Sequence, residues 1–192
     1  MQHRMRIIDL HAYPGTQVWI DSQGPFAEAL GDYWGKPWVG KPEHEVIRDF
    51  EDAGVETVLV ALDIESVFDA PPCSNDYVAK LRDSYPGRVV QAWGTVDPWK
   101  GEEAIAEAER AVNELRVLGF HFHPIVGRYS VDDRRLYPLW ETIAALDVPV
   151  MIDVGTTGMG AGMPGGLATP DNKTPPQNHP THTTPKNKPT KK

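Results

Sequence analysis

Short apolar runs alternate with amphipathic segments from residue 6 to about residue 154. The apolar runs have the length of strands and end in glycine, proline or a polar residue, whereas the amphipathic segments repeat every 3.6 residues. This pattern predicts strands that begin at residues 6, 56, 88, 118 and 148, and helices over 42–54, 74–85, 102–115 and 136–146. Such a strict alternation of strand and helix predicts a parallel sheet.

Residues 14–41 interrupt the alternation. This long connection is rich in glycine and proline, has neither a helical nor a strand period, and contains Trp19, Trp34 and Trp38. Connections of this length are typically functional lids or disordered segments, and three tryptophans favour an ordered lid. The alternative is that the tryptophans only cover one end of the core. The sequence leaves both interpretations open.

Three predicted strands end on imidazole or carboxylate side chains. His11 follows the first apolar run, His121 and His123 alternate with phenylalanines on the fourth, and Asp153 ends the fifth. Residues two apart on a strand share a face, so the two neighbouring histidines point the same way. The carboxyl ends of parallel strands are where such sheets hold their chemistry. We therefore expect these side chains to converge, although satisfied core histidines are the alternative.

Four segments together resemble the amidohydrolase-related family. They are the Ile-Ile-Asp-Leu-His run at 7–11, Gly-Phe-His-Phe-His-Pro at 119–124, Asp-Arg-Arg-Leu-Tyr-Pro-Leu-Trp at 133–140 and the glycine-rich run at 155–166. The family includes metal-dependent hydrolases and decarboxylases of the aminocarboxymuconate-semialdehyde and resorcylate type. The resemblance covers residues 6–166. It implies a TIM barrel whose divalent metal is held by a His-x-His pair, two further histidines and an aspartate.

Carried over residue by residue, the resemblance leaves His11, His121 or His123, and Asp153 as candidate metal ligands, and of these we take His11, His121 and Asp153. It also implies Asp153 as the catalytic group and His123 as a substrate-binding residue. The fit has departures: Tyr13 stands where the second histidine of the pair is expected, His121 stands where relatives often carry lysine, and Asp153 stands where a histidine is expected. A carboxylate oxygen still suits a divalent metal, and the resemblance implies zinc as the cofactor, with manganese as the alternative.

The number of strands departs from a complete barrel, which needs eight in about 250 residues. The composition changes at residue 167 to proline, threonine, asparagine, glutamine, histidine and lysine, which cannot offset the entropy of ordering. We expect an α/β chain of the TIM (β/α)8 barrel family, truncated to about five βα units. Residues 1–166 would form a partial metal-dependent hydrolase domain and 167–192 a disordered tail, which is a frameshift product or a genuine linker.

Composition limits the classes of partner that we expect this chain to bind. The net charge is −8, and five lysines but one aspartate lie in residues 167–192, so the rest of the chain is more acidic still. An acidic surface argues against nucleic-acid binding, and no apolar run approaches the ~20 residues of a membrane span. A single cysteine, Cys73, permits no intrachain disulfide and indicates a cytoplasmic location. A small-molecule substrate is expected, and a homo-oligomer stays open.

The resemblance implies a metal-dependent enzyme that acts on a small organic acid or amide by hydrolysis or decarboxylation. A bound metal would activate water for the first reaction or polarise a substrate oxygen for the second. The alternative is a catalytically inactive half barrel that needs a partner to fold. The sequence alone does not decide between a metal-dependent enzyme and an inactive half barrel.

Overall fold

Five parallel strands form the centre of the protein, which a computed structural model describes over residues 5–155. They are β1 (Ile8–Ala12), β2 (Glu56–Val60), β3 (Val89–Trp93), β4 (Phe120–Phe122) and β5 (Val150–Ile152). Parallel ladders join β1 to β2, β2 to β3 and β4 to β5. A parallel bridge between Gly94 and Phe120 connects β3 to β4. The carboxyl ends of all five strands therefore lie at one edge, and the five predicted strands are confirmed.

Eight α-helices lie among residues 5–155, together with two 3₁₀ helices at Pro98–Lys100 and Arg134–Leu136. The α-helices are α1 (Gln17–Ser22), α2 (Pro25–Trp34), α3 (Glu43–Asp52), α4 (Glu65–Phe68), α5 (Asn75–Ser84), α6 (Glu102–Asn113), α7 (Pro124–Gly127) and α8 (Tyr137–Ala145). The four predicted helices are confirmed as α3, α5, α6 and α8. Ser74 caps α5 by accepting a hydrogen bond from the backbone N–H of Tyr77 at 3.2 Å.

The long connection between β1 and α3 contains secondary structure that its sequence pattern does not predict. It folds into α1 and α2, which Gly24 separates with a φ of 54°. A helix of six residues is too short to display a 3.6-residue period, so α1 leaves little signal in the sequence. Trp19 of α1 is buried in the core, whereas Trp34 of α2 lies at the surface against Trp38. The three tryptophans thus have different roles.

The apolar side chains form two clusters. One lies around β1, β2 and β3 and includes the fully buried Leu59 and Val60. The other lies between β4, α6 and α8, where α6 contributes its alanine stripe and β4 contributes Phe120 and Phe122. Because successive side chains of a strand point to opposite faces, burying these two phenylalanines directs the alternating histidines to the other face.

Both edges of the five-stranded arrangement expose apolar side chains. Leu10 on β1 is 57 % exposed, and Val150 on β5 is 41 % exposed. No strand within residues 5–155 pairs with the outer edge of β1 or of β5. An apolar groove of about 350 Å³ also runs beside β5, lined by Trp140 and Ile143 of α8 among others. These surfaces are suited to a further covering segment or a partner.

Two predictions concern residues beyond this part of the chain. The glycine-rich run at 155–166, apart from its first residue, and the predicted disordered tail at 167–192 lie outside the described residues. Among residues 5–155, no helix has the length and apolar character needed to cross a bilayer.

Cys73 is expected to be unreactive in the folded protein. Its side chain is completely buried, and burial raises the pKa of the thiol to about 12, so almost no thiolate is present at pH 8. A thiol-specific reagent at pH 8 should label the native chain at least about 100-fold more slowly than the chain in guanidinium chloride. Equal labelling rates in the two states would contradict this burial.

Candidate functional site

The carboxyl ends of β1, β4 and β5 bring four polar side chains together. His11 lies on β1, His121 on β4, His123 one residue beyond β4, and Asp153 one residue beyond β5. The backbone N–H of Asp153 donates to the carbonyl of Phe122 at 2.9 Å, which extends the β4–β5 ladder to the aspartate. The β4–β5 ladder thus fixes His121 and His123 at the end of β4 relative to Asp153 at the end of β5.

Distances within this group are short. Oδ2 of Asp153 lies 3.3 Å from Nε2 of His121 and 3.3 Å from Nε2 of His123. The rings of His11 and His121 have centroids 4.7 Å apart and are tilted by 53°. One potential ligand atom from each of His11, His121 and Asp153 lies within 4.8 Å of the other two. The expected convergence of strand ends is therefore observed, and it includes His123.

Several ring nitrogens in this group are buried without a hydrogen-bond partner among the described residues. They are Nε2 of His11, both ring nitrogens of His121 and Nδ1 of His123. The 3.3 Å contact between His121 and Asp153 is close but lacks hydrogen-bond direction. Buried polar atoms in proteins are nearly always satisfied, so a cluster of free imidazole nitrogens beside a carboxylate is a donor set that fits a divalent cation.

Electrostatics favour the protonation states that a cation requires. Burial, reinforced by the charge of His121, lowers the pKa of His11. Burial also lowers the pKa of His123 to about 4, although Asp153 opposes this effect. Burial acts to raise the pKa of Asp153, but the contact with His121 and the charges of the three histidines outweigh it and lower that pKa. At neutral pH His11 and His123 thus offer neutral imidazoles, and Asp153 offers an ionised carboxylate.

Acid should destabilise the metal-free protein through His123. Between its ordinary pKa of 6.5 and its folded pKa of about 4, the unfolded chain binds a proton that the folded chain does not. The stability contributed by this group is therefore full above pH 6.5 and lost as the pH falls towards 4, a loss that approaches about 3 kcal/mol. The lowered pKa of Asp153 acts in the same direction below its ordinary value.

Urea unfolding in EDTA at pH 7 and at pH 4.5 measures this dependence. A matched His123→Gln variant, which cannot be protonated at that position, should show a smaller loss of stability between the two pH values. An identical loss in both proteins would rule out His123 as the source.

Sequence reasoning missed two residues that hold the backbone of this site. A carboxylate oxygen of Asp9 accepts a hydrogen bond from the backbone N–H of His11 at 2.9 Å. The hydroxyl of Thr95 donates to the backbone carbonyl of His121 at 3.0 Å. The two-residue spacing of Asp9 and His11 is a signal that could have indicated the first contact. The second depends on the neighbouring positions of β3 and β4, which no local pattern reveals.

Carboxylates that follow the other strands have different partners. Asp63, after β2, accepts from the backbone N–H of Glu65 at 3.2 Å and pairs with Lys100 at 2.8 Å. Asp97, after β3, is buried and accepts from the backbone N–H groups of Ser66 and Trp99. Both carboxylates therefore have partners outside the histidine cluster. They leave Asp153 as the carboxylate among the clustered histidines.

A family model and a known enzyme match this chain in sequence. A family model described as Amidohydrolase matches residues 8–185. The gamma-resorcylate decarboxylase of Polaromonas sp. (strain JS666 / ATCC BAA-500) is 27 % identical over a region that covers 54 % of this chain and 36 % of that protein.

Two solved structures of 5-carboxyvanillate decarboxylases also resemble this chain. The enzyme from Sphingomonas paucimobilis has a TM-score of 0.61 at 19 % identity, covering 79 % of this chain and 52 % of that one. The enzyme from Novosphingobium aromaticivorans DSM 12444, complexed with manganese and 4-hydroxy-3-methoxy-5-nitrobenzoic acid, has a TM-score of 0.62 at 17 % identity, covering 87 % and 57 %. The present chain spans little more than half the length of either structure.

Proposed function

The chain belongs to the amidohydrolase family, and on that premise we propose that it serves a metal-dependent decarboxylation of a hydroxylated aromatic acid. The observation that carries the proposal is the group formed by His11, His121 and Asp153, with a potential ligand atom of each within 4.8 Å of the others. The group lies at the carboxyl ends of parallel strands, where barrel enzymes hold their reacting groups.

His11, His121 and Asp153 would hold a divalent cation, which when bound would polarise a substrate oxygen and stabilise negative charge developing on the substrate. Manganese is the cation that we propose. It is named with the Novosphingobium decarboxylase, whereas the zinc expected from sequence has no such support. Imidazole and carboxylate ligands accommodate both metals, so zinc remains the alternative.

His123 and Asp153 are suited to the remaining tasks. We assign substrate binding to His123, whose lowered pKa keeps the imidazole neutral at pH 7 and able to donate a hydrogen bond to a substrate oxygen. In the reaction the bond between ring carbon and carboxylate breaks, carbon dioxide leaves, and the ring carbon takes a proton. We assign this proton to Asp153, whose ionised carboxylate would accept it from solvent or a substrate hydroxyl and pass it to the carbon.

Relatives favour decarboxylation over hydrolysis. The curated relative is a resorcylate decarboxylase, and both solved structures are 5-carboxyvanillate decarboxylases. Their names describe benzoic acids that carry hydroxyl groups, so this substrate class is the one to test first.

The test is turnover by the purified full chain loaded with Mn²⁺, using 2,6-dihydroxybenzoate and 5-carboxyvanillate and measuring release of carbon dioxide. Wild-type protein should release carbon dioxide from at least one of them, and Asp153→Asn should reduce turnover by more than about 100-fold. Asp52→Asn, at an exposed position at the end of α3, is the matched control and should leave turnover unchanged. Equal turnover in wild type and Asp153→Asn would overturn the role of the aspartate.

A catalytically inactive protein that needs a partner is the second candidate function. The exposed apolar residues at both sheet edges, such as Leu10 and Val150, favour it. If Mn²⁺-loaded wild-type protein turns over neither acid and associates with itself in analytical ultracentrifugation, this candidate replaces the enzyme.

A further inference from the structure

His11 lies at the end of a short stack of aromatic rings. The ring of Tyr13 meets the imidazole of His11 edge to face, with centroids 5.3 Å apart and planes at 80°. The ring of Tyr13 also stacks on that of Trp19, with centroids 4.8 Å apart and planes at 16°. Trp19 belongs to α1 and is only 1 % exposed, so the stack is anchored in the core.

His11 needs such support more than the other members of the site. It lies on β1, which among residues 5–155 pairs with β2 alone, and the neighbouring Leu10 is 57 % exposed. His121, in contrast, lies on β4 between two strands and is 2 % exposed. A side chain on a strand with one neighbour has fewer packing contacts to hold its rotamer. Metal sites require ligands whose rotamers are locked by packing.

We propose that Tyr13 is a positioning residue whose ring holds the imidazole of His11 beside His121 and Asp153. The inference rests on the proposed metal site. Tyr13 occupies the position where the resemblance predicts a second histidine, and here it contributes packing in place of a ligand. Its contacts with His11 and with Trp19 are both made by the aromatic ring. The aromatic ring should therefore be required, and the hydroxyl should not.

Two substitutions in the full chain separate ring from hydroxyl, with Mn²⁺ alone as the probe and free Mn²⁺ followed by electron paramagnetic resonance. Tyr13→Phe keeps the ring and should bind Mn²⁺ within about threefold of wild type. Tyr13→Leu removes the ring and should bind at least about 10-fold more weakly, as observed when groups supporting a ligand are lost. Tyr33→Leu is the matched control, because Tyr33 in α2 is 84 % exposed.

A second measurement distinguishes positioning from loosening of the fold. With saturating Co²⁺, the visible spectrum of Tyr13→Phe should reproduce that of wild type, and the spectrum of Tyr13→Leu should differ in band position or intensity. Equal Mn²⁺ affinity in Tyr13→Leu and wild type would overturn the inference. So would equal weakening in the two Tyr13 variants, or an unchanged Co²⁺ spectrum in Tyr13→Leu. If wild-type protein binds neither metal, the proposed site fails together with the inference, whereas failure confined to the variants overturns the inference alone.

Discussion

Alanine in place of His11 is expected to lower the affinity of the full chain for Mn²⁺ by more than about 100-fold. Loss of a group that only supports a ligand costs 10- to 100-fold, and loss of a ligand costs more. Replacing the imidazole would remove one of the three groups whose potential ligand atoms lie within 4.8 Å of one another, and only His121 and Asp153 would remain. Mn²⁺ titration followed by electron paramagnetic resonance or calorimetry measures the change.

His44→Ala is the matched control for this experiment. His44 is exposed on α3 and does not belong to the group formed by His11, His121 and Asp153. Its removal should leave Mn²⁺ affinity unchanged. If His11→Ala retains the wild-type affinity, or if both variants lose affinity equally, His11 is not a ligand and the proposed metal site is wrong.

Alanine in place of Phe122 is expected to lower the free energy of unfolding by about 3–5 kcal/mol. Phe122 is 1 % exposed, and its ring meets that of Trp140 edge to face at 4.8 Å. It also lies near Phe120 and Tyr129, so removal of the ring leaves a cavity bounded by large side chains. Because single domains are stable by only about 5–15 kcal/mol, this loss is a large part of the total.

Urea denaturation of the metal-free protein at pH 7 measures the effect of Phe122→Ala. Tyr33→Ala removes an aromatic ring from an exposed position and should change the free energy of unfolding by no more than about 0.5 kcal/mol. A similar small change for Phe122→Ala would show that the apolar cluster between β4, α6 and α8 does not support the fold. Mn²⁺ affinity should also fall in Phe122→Ala, because Phe122 lies next to the proposed ligand His121 on β4.

Much of the fold was accessible from local patterns. The five strands and the helices α3, α5, α6 and α8 were predicted, because long apolar stripes and short apolar runs have distinct periods. The resemblance to the amidohydrolase-related family and the expected TIM-barrel fold are confirmed by the family match and the similarity to solved decarboxylases. The helices α1 and α2 were missed, because α1 has only six residues and because α2 begins at Pro25 and contains Gly31, residue types that are typical of connections.

Candidate site residues were accessible for a related reason. Phe120 and Phe122 must be buried, and strand geometry then directs His121 and His123 to the opposite face. Parallel strands also collect their carboxyl ends at one edge, which brings His11 and Asp153 towards those histidines. Alternation along the chain is therefore sufficient to predict which side chains converge.

Contacts between residues distant along the chain required the three-dimensional structure. The 3.3 Å distances from Asp153 to both histidines, the hydrogen bond from Thr95 to the carbonyl of His121, and the ring contact between His11 and His121 have no local signature. Each depends on how neighbouring strands and helices pack, and packing is set by the whole core. Local periodicity thus specifies the elements and the faces of their side chains, whereas distances, orientations and pKa values arise only when those faces meet.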